Sequence, residues 1–376
     1  GESLMPETYW VFERLGLPDK MYASPFVRQG GVQLVSSSQR ESPPFLFTQH
    51  DPRPCGRTWH VERAKFDQML LDHAAEKGIE VHRGARVRDV VFEGDRAVGV
   101  RLMQDSTGTN GNGADPMIRG RVVVDAAGQQ GVLSGRAAAR KPSVDMRKAA
   151  IWGHFRGARR EVIDDGVMTL VLRTRSNKCW FWHIPLSDDV VSVGVVGDAA
   201  HLLRPGRGTP DEIFAEEVAD CPSIAERIAG AERVAGLDVG KEYSYTERAA
   251  GDGWVFVGDA WGFIDPLYSS GVFFALKSGQ LAADAIVEGF QKNDLSAAQL
   301  GKWVPAFAVG TNWVRKLVLA FYTGQFRVGH FMREYPQHQP NFTDILIGRI
   351  FYPEAGHIFE DLDPWLARMA EQGVTA

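Results

Sequence analysis

Cysteine is scarce: Cys55, Cys179 and Cys221 are the only three in 376 residues. They are odd in number, widely scattered and without ligand spacing. That argues against a disulfide framework or a zinc site, and for a reducing, cytoplasmic setting. No metal is expected. Positive charge is not in excess either; the formal net charge is −5, so the basic footprint of a nucleic-acid binder is missing. No apolar run reaches the roughly 20 residues of a membrane span, no signal peptide is visible, and no internal repeat is found. The start of the chain has a further absence. Gly1-Glu2-Ser3 opens without Met, and nothing near it reads as strand, then G-x-G-x-x-G, then helix.

What is present is an ordinary globular composition, 44% hydrophobic and 24% charged, enough for two or three domain-sized units with a substantial core. The 10 tryptophans suit an aromatic-lined pocket and equally a large core. The chain is organised around residues 254–286, WVFVGDAWGFIDPLYSSGVFFALKSGQLAADAI. Trp254 to Val257 reads as a short buried strand, and Gly258-Asp259 breaks it. A turn-rich segment follows, with Gly262, Asp265, Pro266, Ser269, Ser270 and Gly271, and then a helical pattern with Val272, Leu276, Leu281, Ala282 and Ile286 in its apolar set. A strand feeding a glycine-rich loop that opens a helix aims backbone N–H groups at an anionic or electron-rich ligand. Asp259, at the strand's end, stands where a ligand hydroxyl is held in an open α/β fold. An ordinary strand–loop–helix, in which Gly and Pro only punctuate, also fits GD-x6-P; the whole string is more specific.

That string resembles the second flavin-contacting motif of FAD-dependent aromatic hydroxylases and, more closely, of flavin-dependent halogenases. The resemblance implies that Gly258 and Asp259 lie against the FAD ribityl chain, with Pro266, Gly271 and Val272 also on the cofactor. The helix N-terminus would face the flavin ring, where its positive end favours charge on reduced flavin. Asp265 to Gly271, DPLYSSG, is similar to the halogenase form, in which the backbone amides of Ser269, Ser270 and Gly271 hold chloride or bromide. Two further strings support it. Gly1 to Pro6 matches GES-x-x-P, which in that family follows the dinucleotide-binding unit, so about 40 residues of one βαβ unit and a connection are expected to precede this chain. Trp180 to Pro185, WFWHIP, matches W-x-W-x-I-P. By strand alternation Trp180, Trp182 and Ile184 share one face, where the indoles would wall the flavin off from substrate; ordinary strand-core packing is the alternative.

In chain order, Glu7 to Leu15 has helical spacing closed by Gly16. In FVRQGGVQ, residues 26–33, Arg28 best matches the family's catalytic lysine; a solvated strand charge is the alternative. A guanidinium stays protonated and is a poor nucleophile, so only hydrogen-bond positioning would remain to it. The segment 45–59 reads as irregular. Phe66 to Glu76 is an amphipathic helix with Phe66, Leu70, Leu71 and Ala74 on one face. Val61, Arg63, Phe66 and Asp67 resemble the segment in which an arginine, here Arg63, reaches FAD. Glu80-Val81 reads as a strand start, Arg86 to Leu102 as a hairpin turning at Gly94-Asp95, and Gln104 to Pro116 as an exposed loop. RVVVDAAG, residues 121–128, is a strand whose end resembles the stretch under the FAD adenosine half, with Asp125 and Gly128 as candidates. After Pro142, strands at 151–155, 167–172, 179–185 and 190–196 suggest an antiparallel sheet. Pro210 to Ala229 reads as two short helices, Leu300 to Val328 as apolar helices, and Asn341 to Ile350 as a helix capped by Asn341.

The expected fold is α/β: a Rossmann-like FAD-binding domain lacking its first βαβ unit (1–25, 59–142 and 243–295), an antiparallel-sheet substrate domain (26–58 and 143–242) and C-terminal helices (296–376). The resemblance implies an FAD-dependent oxidoreductase that makes an oxidant from reduced FAD, O2 and halide. A flavin reductase would supply the reduced cofactor, and a small electron-rich aromatic would be the substrate. Ser269 and Arg28 are the catalytic candidates. Tyr268, an aromatic before Ser-Ser-Gly, is closer to phenol and pyrrole halogenases than to tryptophan halogenases. A hydroxylase or C=C reductase of the same superfamily, and a flavin-binding scaffold without turnover, are the other readings.

Overall fold

A computed structural model describes residues 1–103, 116–133, 140–142, 146–164, 166–241, 244–322 and 328–371. The elements that position the site, in chain order, are α1 (Thr8–Leu15), β1 (Val27–Val35), β2 (Thr58–His60), α2 (Arg63–Glu76), β3 (Val87–Glu93), β4 (Arg96–Leu102), β5 (Val123–Asp125), β6 (Lys148–Arg156), β7 (Gly166–Arg173), β8 (Cys179–Pro185), β9 (Val190–Asp198), β10 (Trp254–Phe256), α3 (Gly271–Lys292), α4 (Val304–Tyr322) and α5 (Ile358–Glu371).

The dominant feature is a 10-stranded sheet whose centre runs β6-β9-β8-β7-β1. The pairs β6·β9, β9·β8 and β8·β7 are antiparallel, with Trp180 opposite Val196, and Trp182 opposite Val171 on one side and Gly194 on the other. Strict alternation sorts the side chains. Ala150, Val171, Trp180 and Val196 join the large core shared with α3, α4 and α5. Ala149, Ile151, Phe155, Leu170, Leu172, Phe181 and Val193 join a second core on the opposite face, under the short helices Pro210–Ala219 and Pro222–Arg227. The first of these begins with a capping box, Thr209 accepting from the Glu212 amide while Glu212 returns a bond to Thr209.

A smaller parallel pair, β5 with β10, sets Trp254 opposite Val123 and Phe256 opposite Asp125. The chain leaves β10, turns through Gly258–Ala260 and enters α3, the strand–turn–helix arrangement expected of 254–286. Gly258 has φ +57, and its amide donates to Ser278 Oγ on α3 at 2.9 Å. A Cβ there would sit 3.0 Å from the Ala275 side chain, so turn and helix can pack this closely only with glycine.

Several local expectations are corrected. The sheet is not wholly antiparallel: β1 runs parallel to β7, because the chain makes a long crossover between them instead of a hairpin. No strand begins at Glu80-Val81; pairing starts at Val87. Leu71 is exposed, and the buried stripe of α2 is Phe66 and His73 with Leu70 between them, the spacing a 3.6-residue period dictates. The apolar set expected of α3 does pack, Ala282, Leu281 and Ile286 in or against the large core and Val272 and Leu276 against the cluster that holds Tyr9 and Phe12 of α1, with Phe273, Phe274, Ser278, Ala285 and Gly289 buried as well. Asn341 is not a cap. The helix there spans Gln339–Ile347 with His338 at its N-cap position, and the Asn341 amide donates to the Glu354 carbonyl instead. Apart from Pro116, the expected loop 104–116 lies outside the described residues.

Candidate flavin and halide site

A cleft of about 730 Å³ opens between β10, the start of α3 and the Trp180 face of the sheet. It is lined by Arg63, Gly128, Gly258, Asp259, Pro266, Ser269, Gly271 and Val272, and by Trp152, Trp180, Trp182 and Ile184. The motif loop and the indole-bearing strand, far apart in sequence, are therefore two walls of one cavity. Trp182 tilts against Trp152 at 6.1 Å and Trp180 at 6.3 Å. Its Nε1–H donates to Ser192 Oγ at 3.1 Å. Gly194 makes room for it: a Cβ at that position would come 2.2 Å from the Trp182 ring.

Fit to a flavin nucleotide can be judged from these groups. Burial pushes the Asp259 carboxyl up from its ordinary value, against the pull of positive charge from the Gly1 amino group, Arg63 and Arg140. Among the described residues no side chain donates a hydrogen bond to it, so it stands as an acceptor at the cleft wall. Gly128, at φ +64, has open space where a Cβ would be. In the first turn of α3 the amides of Gly271 and Val272 have no carbonyl four residues back within the helix to bond. An acceptor for ribityl hydroxyls, bare backbone for close approach and a helix N-terminus for an electron-rich ring fit FAD.

Ser269 has φ +55, a left-handed conformation that non-glycine residues seldom adopt and that costs on the order of 1–3 kcal/mol. The turn is held by its amide, which donates to the Pro266 carbonyl at 3.0 Å, and by Asp265, whose carboxylate accepts from the Leu267 amide at 2.9 Å. Ser269 also lines a second, smaller chamber of about 50 Å³, walled by Val32, Leu34, Phe45, Tyr268, Phe321 and Phe342. Ser3, Thr169, Val171, Leu267 and Ser269 line both spaces.

Not every candidate reaches the cleft. Ser270 is buried at 1% exposure beneath the loop. Asp125 faces inward and accepts from the Ala127 and Leu133 amides at 2.9 and 2.8 Å, which makes it a turn former at the end of β5. Arg28 lines neither space. Its guanidinium lies 4.1 Å from the Trp59 ring and 5.1 Å from Tyr22, and donates to the Arg57 carbonyl. Strand alternation places Gln29, the next residue, inward at 1% exposure on the chamber wall. Arg28 thus points away from the space that Gln29 faces, as neighbouring residues on a strand must.

Gln29 belongs to a neutral network whose polarity follows from its last acceptor. His60 Nδ1 must donate to the Pro185 carbonyl at 2.8 Å, so Nε2 accepts from the Thr169 hydroxyl at 2.8 Å. Gln29 Nε2 then donates to Thr169 Oγ1 at 2.9 Å, and Ser3 Oγ to Gln29 Oε1 at 3.1 Å. Burial holds His60 neutral, its pKa pulled down to about 4. His154 also lines the cleft; the Glu2 carboxylate, 2.6 Å from its Nε2, raises its pKa. Neither residue had a sequence signal beyond a lone polar residue in a strand.

The three cysteines are free and buried. Spacing gave no hint that Cys179, His201 and Glu217 converge, with candidate ligand atoms within 4.8 Å of one another. The Glu217 carboxylate is already taken by Arg207 and by His201, so the group closes as an ion-paired network. Among the described residues no helix is long and apolar enough to cross a membrane.

The family model for tryptophan halogenase matches residues 32–339. A brominase of 1H-pyrrole-2-carbonyl on a peptidyl-carrier protein, from Pseudoalteromonas luteoviolacea (strain 2ta16), is 32% identical over 297 residues, covering 78% of this chain and 69% of its own. The corresponding chlorinase of Pseudomonas fluorescens (strain Pf-5) is 27% identical, covering 96% and 83%. The solved structure of the flavin-dependent brominase Bmp2 superposes with a TM-score of 0.84 at 28% identity, over 98% of this chain and 89% of its own. The chain belongs to the tryptophan halogenase family and is an FAD-dependent halogenase.

Proposed function

We propose that this chain halogenates a small, electron-rich aromatic ring held in the chamber behind Ser269, with FAD in the large cleft and halide at the backbone amides of the first turn of α3. One observation supports this most: Ser269 lines both spaces, so the two adjoin at the loop where a small oxidant would cross. Reduced FAD, when bound, would supply two electrons to O2, and the resulting peroxide-level oxygen would take two more from the halide to make it electrophilic. The chain's own groups do the rest. Asp259 accepts hydroxyls of the cofactor, and Arg63 meets its anionic part. Gly258 lets backbone approach. Trp180 and Trp182 exclude water from the ring face. Gln29 presents a neutral, already bonded amide at the passage, which favours transit of an uncharged oxidant and offers no amine to capture it.

The chamber, about 50 Å³, favours one small ring over a fused bicycle. The two pyrrole-acting relatives and Tyr268 on the chamber wall support the same class. A carrier-bound pyrrole acyl group is therefore the first substrate to try, with a flavin reductase as electron source. The test is to incubate the protein with reduced FAD, O2, bromide and pyrrole-2-carbonyl pantetheine beside free phenols and tryptophan, and to read products by mass. A bromine isotope pair on the pyrrole is expected. Oxygenated product without halogen would replace this reading with a hydroxylase.

A further inference from the structure

Behind the indole wall a second set of contacts joins three distant parts of the chain. The Trp180 Nε1–H donates to the Tyr322 hydroxyl at 3.0 Å. That hydroxyl in turn reaches both oxygens of Asp265, at 3.2 and 3.0 Å. Trp180 is on β8 and forms part of the cleft wall, Tyr322 is the last residue of α4, and Asp265 sits in the loop that carries Ser269 and lines the same cleft. The proposed function uses the ring face of Trp180 and the turn held by Asp265, but not the hydrogen bonds that join them through Tyr322.

We propose that Tyr322 is a positioning residue for the site, coupling the protonation of Asp265 to the setting of Trp180 over the cleft. It deepens the halogenase reading and rests on it for the cleft's purpose. The geometry is directional. Ionised Asp265 accepts the Tyr322 proton, which leaves the phenol oxygen's lone pairs to the indole N–H. Protonated Asp265 is itself a donor, competes for that oxygen, and weakens the hold on Trp180. The carboxyl is 2% exposed, and burial pushes its pKa up to about 7, against the Leu267 amide, Tyr322 and Lys148. Among the described residues, Lys148 Nζ is 4.0 Å from the Tyr322 ring centroid and pairs with Asp198, while burial raises the Tyr268 pKa against the pull of Arg173. A switch near neutral pH thus lies between the halide loop and the indole wall.

The test needs no flavin, so its failure is separable from failure of the function above. The infrared carboxyl band of Asp265, taken as wild type minus Asp265→Asn, is titrated alongside the pH-dependent emission of Trp180, taken as wild type minus Trp180→Phe. Both are expected to change together near pH 7. In Tyr322→Phe the carboxyl should titrate at higher pH, because a bond to the ionised form is gone, and the Trp180 signal should no longer follow it. In Asp265→Asn the Trp180 signal should be flat. Emission that still tracks the carboxyl in Tyr322→Phe, or no carboxyl titrating near neutrality, would overturn the proposal. Circular dichroism of each variant confirms that it has folded.

Discussion

Arg28 and Gln29 are adjacent, but their side chains have different tasks. Arg28 stacks on Trp59, a contact worth about 0.5–2 kcal/mol. Arg28→Ala should lower the melting temperature slightly and leave turnover as it was. Gln29→Leu removes the bond from Ser3 Oγ and the bond to Thr169 Oγ1, at about 0.5–1.5 kcal/mol each. It should reduce product formed per flavin oxidised while FAD binding stays the same. Equal loss of turnover in both variants would return the catalytic role to Arg28. His60 sets a pH dependence at this scale. Its folded pKa, about 4, lies below the ordinary 6.5, so the unfolded chain takes up the proton first. Stability is whole above pH 6.5 and is lost as pH falls toward 4, by about 3 kcal/mol for this one group. His183, at about 3, acts in the same direction. His60→Gln keeps a donor for Pro185 and an acceptor for Thr169, and should flatten the acid limb of stability measured by denaturant titration.

At the scale of elements, two glycines let strands and helix close on the cleft. Gly258→Ala adds a Cβ at φ +57 against Ala275, at a cost on the order of 1–3 kcal/mol. Because the same turn lines the cleft, FAD affinity measured by fluorescence titration should fall with the melting temperature. Gly194→Ala differs. Its Cβ would overlap the Trp182 ring, so β9 can keep its pairing only if the indole swings into the cleft. FAD affinity should drop several-fold with little change in stability; an unchanged affinity would show that Trp182 is not part of the flavin wall.

Across the whole molecule, one hydrophobic core joins the sheet, α3 and the C-terminal helices. Trp365 on α5 is 1% exposed, meets Phe331 edge-on at 5.6 Å and donates to Glu334 at 2.9 Å. Trp365→Ala should cost about 3–5 kcal/mol. No residue of α5 lines the cleft, so FAD affinity below the melting range should hold. A parallel loss of affinity would mean the helices set the cleft's shape from a distance.

Much of this was legible from the chain alone. Apolar runs marked β6 to β9, whose two faces both meet a core, and a 3.6-residue spacing marked α2 and α3. The string from Gly258 to Gly271 announced a turn with glycine where backbone must pass closely, and both Gly258 and Ser269 proved left-handed. Register across strands was decided only in three dimensions. Alternation tells which residues share a face but not which face meets the site, so Arg28 and Gln29 could not be ordered until β1 lay beside β7. The convergence of Ser3, Gln29, His60 and Thr169, and that of Trp180, Asp265 and Tyr322, joins residues up to 166 positions apart. Local sequence carries no record of such contacts, because the free energy that creates them comes from packing the sheet, the flavin loop and the C-terminal helices into one core.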